Sequence, residues 1–270
     1  MNQRYAALVE VIRTAKPIIH HITNYVTAND CANITLAIGG SPIMADALEE
    51  AADIARISSA FVLNMGTLNE RTVPSMLTAG KTANEVRIPV VFDPVGVGAS
   101  KFRNDTAARI LDEVKISVLR GNISEVRFLA GLQSEPKGVD ASEADMQGDA
   151  LTAAKSLAAR LGCVVAITGA VDVVSDGIEV ICIENGHPKL SDITGTGCMC
   201  SSLIGSFCGA APDSPLEATV TALLTMGIAG EVAYELAGEK GNGSFRVALH
   251  DCVSRMDAET IIRRAKFYEA

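Results

Sequence analysis

Two glycines spaced two apart, in Asp192-Ile193-Thr194-Gly195-Thr196-Gly197-Cys198-Met199-Cys200, stand at the entrance of an apolar segment that runs to Ala211. Without a Cβ, the backbone N–H groups there approach a ligand closely. A helix starting at this point aims its free N–H groups and its dipole into the turn, which makes an anion site suited to phosphate. A tight turn into a buried helix uses the same residues. Three other groups bear chemistry. Asp93 ends the run Pro89-Val90-Val91-Phe92, Arg120 and Asn122 follow Ile116 to Leu119, and Glu125 comes three residues later. Arg presents a planar donor fork for phosphate oxygens. Asp93 and Glu125 are hard oxygen donors suited to Mg²⁺, directly or through water. Together these are the parts of a phosphotransferase that is not of the P-loop type. Singly each is weak: Arg120 also suits a surface ion pair, and Glu125 a favourable first-turn charge.

Two other classes use the same residues. A cysteine hydrolase would take Cys198 as nucleophile at a helix N-terminus, with His187 or His250 as candidate partners. A dinucleotide-binding module would read Gly195-Thr196-Gly197 as part of a fingerprint, but Cys200 holds the third glycine position. Ser75 to Thr82 nearly matches a P-loop; it lacks the first glycine and no strand directly precedes it. Adjacent His20 and His21 on a strand face opposite sides, so they suit one solvated and one core histidine better than a metal site.

Elements must bring these groups together. Tyr5, Leu8, Val9 and Ile12 recur at helical spacing before Pro17. Strands are predicted over 18–23, 41–44, 60–64, 89–93, 116–119 and 163–168, with a hairpin of 171–175 and 178–183 around Asp176-Gly177. Helices are predicted over 28–38, from 46 or 47 to 57, over 70–87, 106–114, from Asn122 onward, and over 150–161, 197–211, 215–237 and 245–266. The polar stretch 133–148 reads as a surface loop and 238–244 as a flexible break. This alternation predicts an α/β fold with a mostly parallel central sheet and helices on both faces. No repeat or linker interrupts it, so one domain over 1–270 is expected. In a parallel sheet the strand ends carrying Asp93, Arg120 and Asn122 share one edge, where a crevice gathers ligands.

Bulk properties narrow the classes. The chain has 270 residues, 48% hydrophobic and 20% charged, which allows a sizeable core. Its net charge of -9 with no basic run argues against nucleic acid. Seven cysteines without a C-x-x-C pair suggest neither a disulfide framework nor a zinc cage, and a reducing cytoplasm is expected. The uncharged stretch between Asp192 and Asp213 is long enough to span a bilayer, but its Gly, Ser and Thr content favours a buried helix and no membrane partner. Pro215 to Gly230 is apolar around most of its circumference, which implies burial on all sides or at a subunit contact.

Seven ordered motifs resemble the hydroxyethylthiazole kinase family of thiamine salvage. They are His21-Ile22-Thr23-Asn24-Tyr25-Val26-Thr27, Ser41-Pro42-Ile43-Met44-Ala45, Asn64-Met65-Gly66-Thr67-Leu68, Asp93-Pro94-Val95-Gly96-Val97-Gly98-Ala99, Arg120-Gly121-Asn122-Ile123-Ser124-Glu125, Thr168-Gly169, and Thr194-Gly195-Thr196-Gly197-Cys198-Met199. The resemblance implies a ribokinase-like three-layer fold. It implies transfer of the ATP γ-phosphate to 4-methyl-5-(2-hydroxyethyl)thiazole, with Mg²⁺, in a homotrimer with pockets between subunits. By motif match, Arg120 and Thr168 would bind ATP, and Asp93, Asn122 and Glu125 would serve the metal, its waters and the phosphates. Met44, Gly66, Gly195 and nearby Asn24 would form the thiazole pocket, and Cys198 would stand where related sugar kinases carry an Asp base. Another ribokinase-like kinase of a small alcohol, such as a hydroxymethylpyrimidine, is the alternative.

Overall fold

The computed structural model describes residues 2–132 and 143–270. Its frame is a nine-stranded sheet: β1 (Ile18–Ile22), β2 (Ser41–Met44), β3 (Ala60–Asn64), β4 (Val90–Asp93), β5 (Val118–Gly121), β6 (Val164–Ile167), β7 (Asp172–Ser175), β8 (Val180–Ile183) and β9 (Phe267–Glu269). The order across the sheet is β2-β1-β3-β4-β5-β6-β7-β8-β9. β1 to β6 pair in parallel, and β7, β8 and β9 join antiparallel.

Period-two alternation makes the fold three-layered. Ile19, Val62, Val91 and Val118 face one core, while Phe61, Leu63, Phe92 and Leu119 face another. Successive strand side chains point to opposite faces, so strands apolar at every position need helices on both sides. The first face is covered by α1 (Asn2–Ala15), α2 (Ala28–Ile38), α8 (Thr196–Ala210), α9 (Pro215–Ala237), α10 (Asn242–Ser254) and α11 (Ala258–Arg264). The second is covered by α3 (Leu48–Ile57), α4 (Thr72–Glu85), α5 (Lys101–Glu113), α6 (Ile123–Ala130) and α7 (Glu143–Leu161).

The order fixes where a ligand belongs. From β1 the chain first moves outward to β2, then returns to place β3 on the other side of β1. The carboxyl ends of β1 and β3 therefore flank the switch point, where open α/β sheets leave a crevice. β3 and β4 are in register with Asn64 opposite Asp93, so adjacent strands deliver an amide and a carboxylate side by side.

Several boundaries differ from the sequence reading. α5 begins at Lys101 rather than Thr106, because Ser100 caps it by accepting the Arg103 N–H. β5 is shifted to Val118–Gly121, so Arg120 lies within the strand end. Of the loop expected over 133–148, residues 143–148 lie in α7, and 133–142 fall outside the described residues. Of the break expected over 238–244, Gly238–Lys240 is a short 3-10 turn and α10 already begins at Asn242. The helix expected over 245–266 breaks into α10 and α11, since the Asp257 carboxylate accepts the Thr260 N–H at 2.8 Å and starts a new helix. The chain then closes the sheet edge with β9, which was not expected. Both His20 and His21 are buried; neither is solvated. Burial holds His21 neutral, with its pKa lowered to about 4. The near P-loop lies inside α4, mostly buried. α9 is long and apolar enough to cross a membrane, yet 83% of its most apolar window is buried inside the fold. That burial is within one chain, so the apolar circumference of Pro215 to Gly230 requires no subunit contact.

Candidate active site

The carboxyl ends of β1, β3, β4, β5 and β6 converge on the N-terminus of α8. Gly195 is the residue preceding that helix, at φ +88, in the left-handed region that glycine tolerates. A Cβ there would stand 2.6 Å from Thr27 Cγ2. Gly197 lies in the first turn, and a Cβ on it would stand 2.6 Å from Arg120 Nη1. The glycine pair is thus required by a close approach: the Arg120 guanidinium packs against the backbone of the α8 first turn. That brings a cation and the positive end of a helix dipole to one place, which suits a polyanion.

Asp93 is the fixed anion opposite. It is fully buried. Its Oδ2 accepts from Ser201 Oγ at 2.7 Å and from Asn64 Nδ2 at 2.8 Å, and lies 3.5 Å from Arg120 Nη1. Oδ1 has no hydrogen-bond partner. Burial pushes the Asp93 carboxyl up, and the Arg120 charge and the Ser201 and Asn64 hydrogen bonds offset this only in part. Burial opposes the Arg120 charge, but Asp93 and the surrounding acidic groups hold its pKa above the ordinary value. Arg120 also donates to Thr168 Oγ1. Its Nε is buried without a partner.

Glu125 has a different local task. Asn122 Oδ1 accepts the Glu125 N–H at 2.9 Å, and Glu125 Oε2 accepts the Asn122 N–H at 2.8 Å, a reciprocal cap on α6. Its Oε1 accepts the Gly96 N–H at 2.8 Å. Glu125 therefore ties the loop 94–98 to the β5–α6 junction. Among the described residues no group of three or more His, Cys, Asp or Glu side chains is placed to hold a metal ion. The donor set fits a Mg²⁺ held largely by water and phosphate oxygens, with one or two carboxylates beside it. Asp93 Oδ1, with no hydrogen-bond partner, is the acceptor such an ion would meet, and Glu125, whose two oxygens already accept backbone N–H groups, would reach it through water.

Cys198 stands in the first turn of α8, partly exposed. Its Sγ accepts from Asn24 Nδ2 and from Asn64 Nδ2, both at 3.3 Å. A helix N-terminus lowers a thiol pKa, but here burial and the Asp93 charge push it up, and the Thr27, Asn24 and Asn64 hydrogen bonds restore only part. The histidines expected as partners for a nucleophile are elsewhere. His187 stacks on Tyr234 at 3.7 Å, and His250 Nε2 lies 3.9 Å from Asp30. His21 Nε2 meets Ser202 Oγ rather than the thiol. A Cys–His pair is not what this site builds.

Of the pocket residues, Asn24 follows β1 and is buried, Met44 ends β2 half-exposed, and Gly66 follows β3, its N–H donated to Asn64 Oδ1 at 2.8 Å. Asp46, just beyond Met44, pairs with Arg71 at 2.7 Å on the surface. The sequence reading missed Asn64 and Ser201 as site residues. A detectable signal existed for Ser201: it lies four residues after Gly197, so it shares that face of α8.

This three-layer sheet, with a glycine turn and an arginine facing a buried aspartate at the carboxyl edge beside the switch point, is a ribokinase-like phosphotransferase architecture. It has a TM-score of 0.61 to the pyridoxal kinase of Staphylococcus aureus in complex with AMP-PCP, at 18% identity, over 80% of this chain and 88% of that one. Closer likeness comes from a hydroxyethylthiazole kinase structure from Pyrococcus horikoshii OT3: TM-score 0.90 and 40% identity over 98% of both chains. The hydroxyethylthiazole kinase of Ruminiclostridium cellulolyticum is 59% identical over 99% of this chain and 98% of its own. The Hydroxyethylthiazole kinase family model matches residues 9–259, and the chain belongs to that family.

Proposed function

We propose that the protein transfers the γ-phosphate of ATP to the primary alcohol of 4-methyl-5-(2-hydroxyethyl)thiazole, in thiamine salvage. The observation that carries this reading is the convergence of Arg120, Asp93 and the Gly195–Cys198 turn at the carboxyl edge of the sheet, beside the switch point, in a chain of this family. Residues 1–270 act as one kinase domain, and the cytoplasm is its site of action.

Each residue then has a task. Arg120 and Thr168, already bonded to each other, hold the ATP phosphates. The α8 N–H groups stabilise charge on the transferring phosphoryl group. Asn24, Met44, Gly66 and Gly195 surround the alcohol. Mg²⁺, carried by the phosphates beside Asp93 and Glu125, would neutralise developing charge. Cys198 lies between the two substrates. Its raised pKa makes it a neutral group that positions the alcohol rather than a thiolate base. A loose transition state leaves an early base little to do. Cys198→Ala is therefore expected to lower kcat by about 10²-fold or less, the low end for loss of a general base. Cys198→Asp is expected to keep or improve the rate. Complete loss in both, or a trapped covalent adduct, would restore an obligatory thiolate.

A homotrimer with pockets shared between subunits is part of the same reading. Tyr25 and Val26 after β1 and Met44 and Leu48 around β2 are exposed apolar groups at the pocket's rim, which suits covering by a second copy. Sedimentation is expected to give the mass of three chains; a fully active monomer would contradict a shared pocket. The substrate itself is tested by steady-state kinetics across thiazole and pyrimidine alcohols. The thiazole is expected to have the highest kcat/KM, and preference for a hydroxymethylpyrimidine would select the alternative.

A further inference from the structure

Asn64 ends β3 at the middle of the crevice and is 1% exposed. Its Oδ1 accepts from Gly66 N at 2.8 Å and from Asn24 Nδ2 at 3.1 Å. Its Nδ2 donates to Asp93 Oδ2 at 2.8 Å and to Cys198 Sγ at 3.3 Å. A backbone N–H only donates, so Gly66 fixes which end of the amide is oxygen. Thr27 fixes Asn24 in the same way, because Asn24 Oδ1 accepts the Thr27 N–H at 3.0 Å. An Asn side chain has two donor hydrogens and one oxygen with two lone pairs, and Asn64 uses all of them.

One rigid amide thus touches the carboxylate on the phosphate side, the thiol between the substrates and the turn on the alcohol side. Neither an acid nor a hydroxyl of similar size can do this. An Asp side chain has the shape but no donors when ionised, and a Ser side chain is too short to span the partners. We propose that Asn64 is a positioning residue for phosphoryl transfer, holding Asp93, Cys198 and the Gly66 turn in one register. The inference rests on the kinase reading above. Asn64 is buried behind these partners and acts through them, so its loss misaligns the reacting groups rather than removing a binding contact. Misplacement of about 1 Å costs on the order of 10²-fold in rate.

The test compares Asn64→Ala and Asn64→Asp in the full chain with wild type. Asn64→Asp keeps the shape and the acceptor toward Gly66 but sets a second buried carboxyl against Asp93, so a single shared proton replaces the two amide donors and the Cys198 contact loses its donor. The measurements are kcat, KM for ATP and for the thiazole alcohol, binding of AMP-PCP by calorimetry, and circular dichroism for folding. Both variants are expected to lose roughly 10²-fold in kcat while KM values and AMP-PCP affinity stay within about threefold. Should Asn64→Ala not fold, the isosteric Asn64→Asp decides. A kcat for Asn64→Asp within about threefold of wild type, a loss confined to KM, or failure of both variants to fold would overturn the proposal. A wild type without thiazole-dependent ADP release would overturn the kinase reading itself and the inference with it.

Discussion

Arg120→Ala is expected to lower kcat/KM for ATP by roughly 10²-fold or more, the cost of losing one strong electrostatic contact to the transition state. Arg120 lies with 12% of its side chain exposed, between Asp93 and Thr168 and against the backbone of Gly197. Its guanidinium is therefore already oriented before any phosphate arrives, and little ordering entropy remains to be lost on binding. Arg120→Lys is expected to rescue poorly, because a point charge on a flexible stem cannot meet Thr168, Asp93 and a phosphate in one plane. Steady-state kinetics with varied MgATP checks both variants. Kinetics unchanged from wild type would remove Arg120 from the site.

Asp93→Asn has a different expected signature. The substitution keeps the volume and removes the charge from a fully buried position. Ser201 and Asn64 both donate to Oδ2, so an amide oxygen at that place keeps both hydrogen bonds while its NH2 takes the position of the unpartnered Oδ1. The substitution also leaves the Arg120 charge buried without its counter-ion. Breaking a buried pair costs 3–5 kcal/mol when the geometry is tight; at 3.5 Å this pair belongs at or below about 3 kcal/mol. ATP phosphates supply the missing negative charge, so saturating MgATP is expected to return part of that stability. Hence kcat is expected to fall by roughly 10²-fold or more, while KM for ATP stays level or drops. Thermal melts with and without MgATP, beside steady-state rates, distinguish this from simple misfolding. A rise in KM for ATP as large as that in Arg120→Ala would mean that Asp93 serves ATP binding rather than the chemical step.

Much of this frame is legible in the chain because punctuation residues bound its apolar runs. Ala28–Ile38, Ser41–Met44, Ala60–Asn64 and Pro215–Ala237 coincide with the elements read from pattern. Gly39, with φ +109, stops the first of these helices, and Pro215 starts the last. What escaped was set by tertiary contacts. β9 is three residues long, and only pairing with β8 makes it a strand. α7 starts among polar residues that look like loop. At the site, Asp93, Arg120 and the glycine turn are visible because charge at a strand end and paired glycines are unusual. Asn64 is not, because an Asn after an apolar run also reads as a turn residue. Its role needs the β3–β4 register, which sets it beside Asp93. Glu125 reads in the sequence as a metal ligand or as a favourable first-turn charge, and only its contacts with Asn122 and Gly96 reveal that it caps α6 and holds the loop 94–98.

The most direct measurement is ADP release by purified wild-type protein with MgATP, in the presence and absence of 4-methyl-5-(2-hydroxyethyl)thiazole, with the product identified by mass. The expected result is ADP formation that depends on both Mg²⁺ and the alcohol and yields its phosphate monoester in equal amount. Folded protein that releases no thiazole-dependent ADP at saturating concentrations of both substrates would contradict the account.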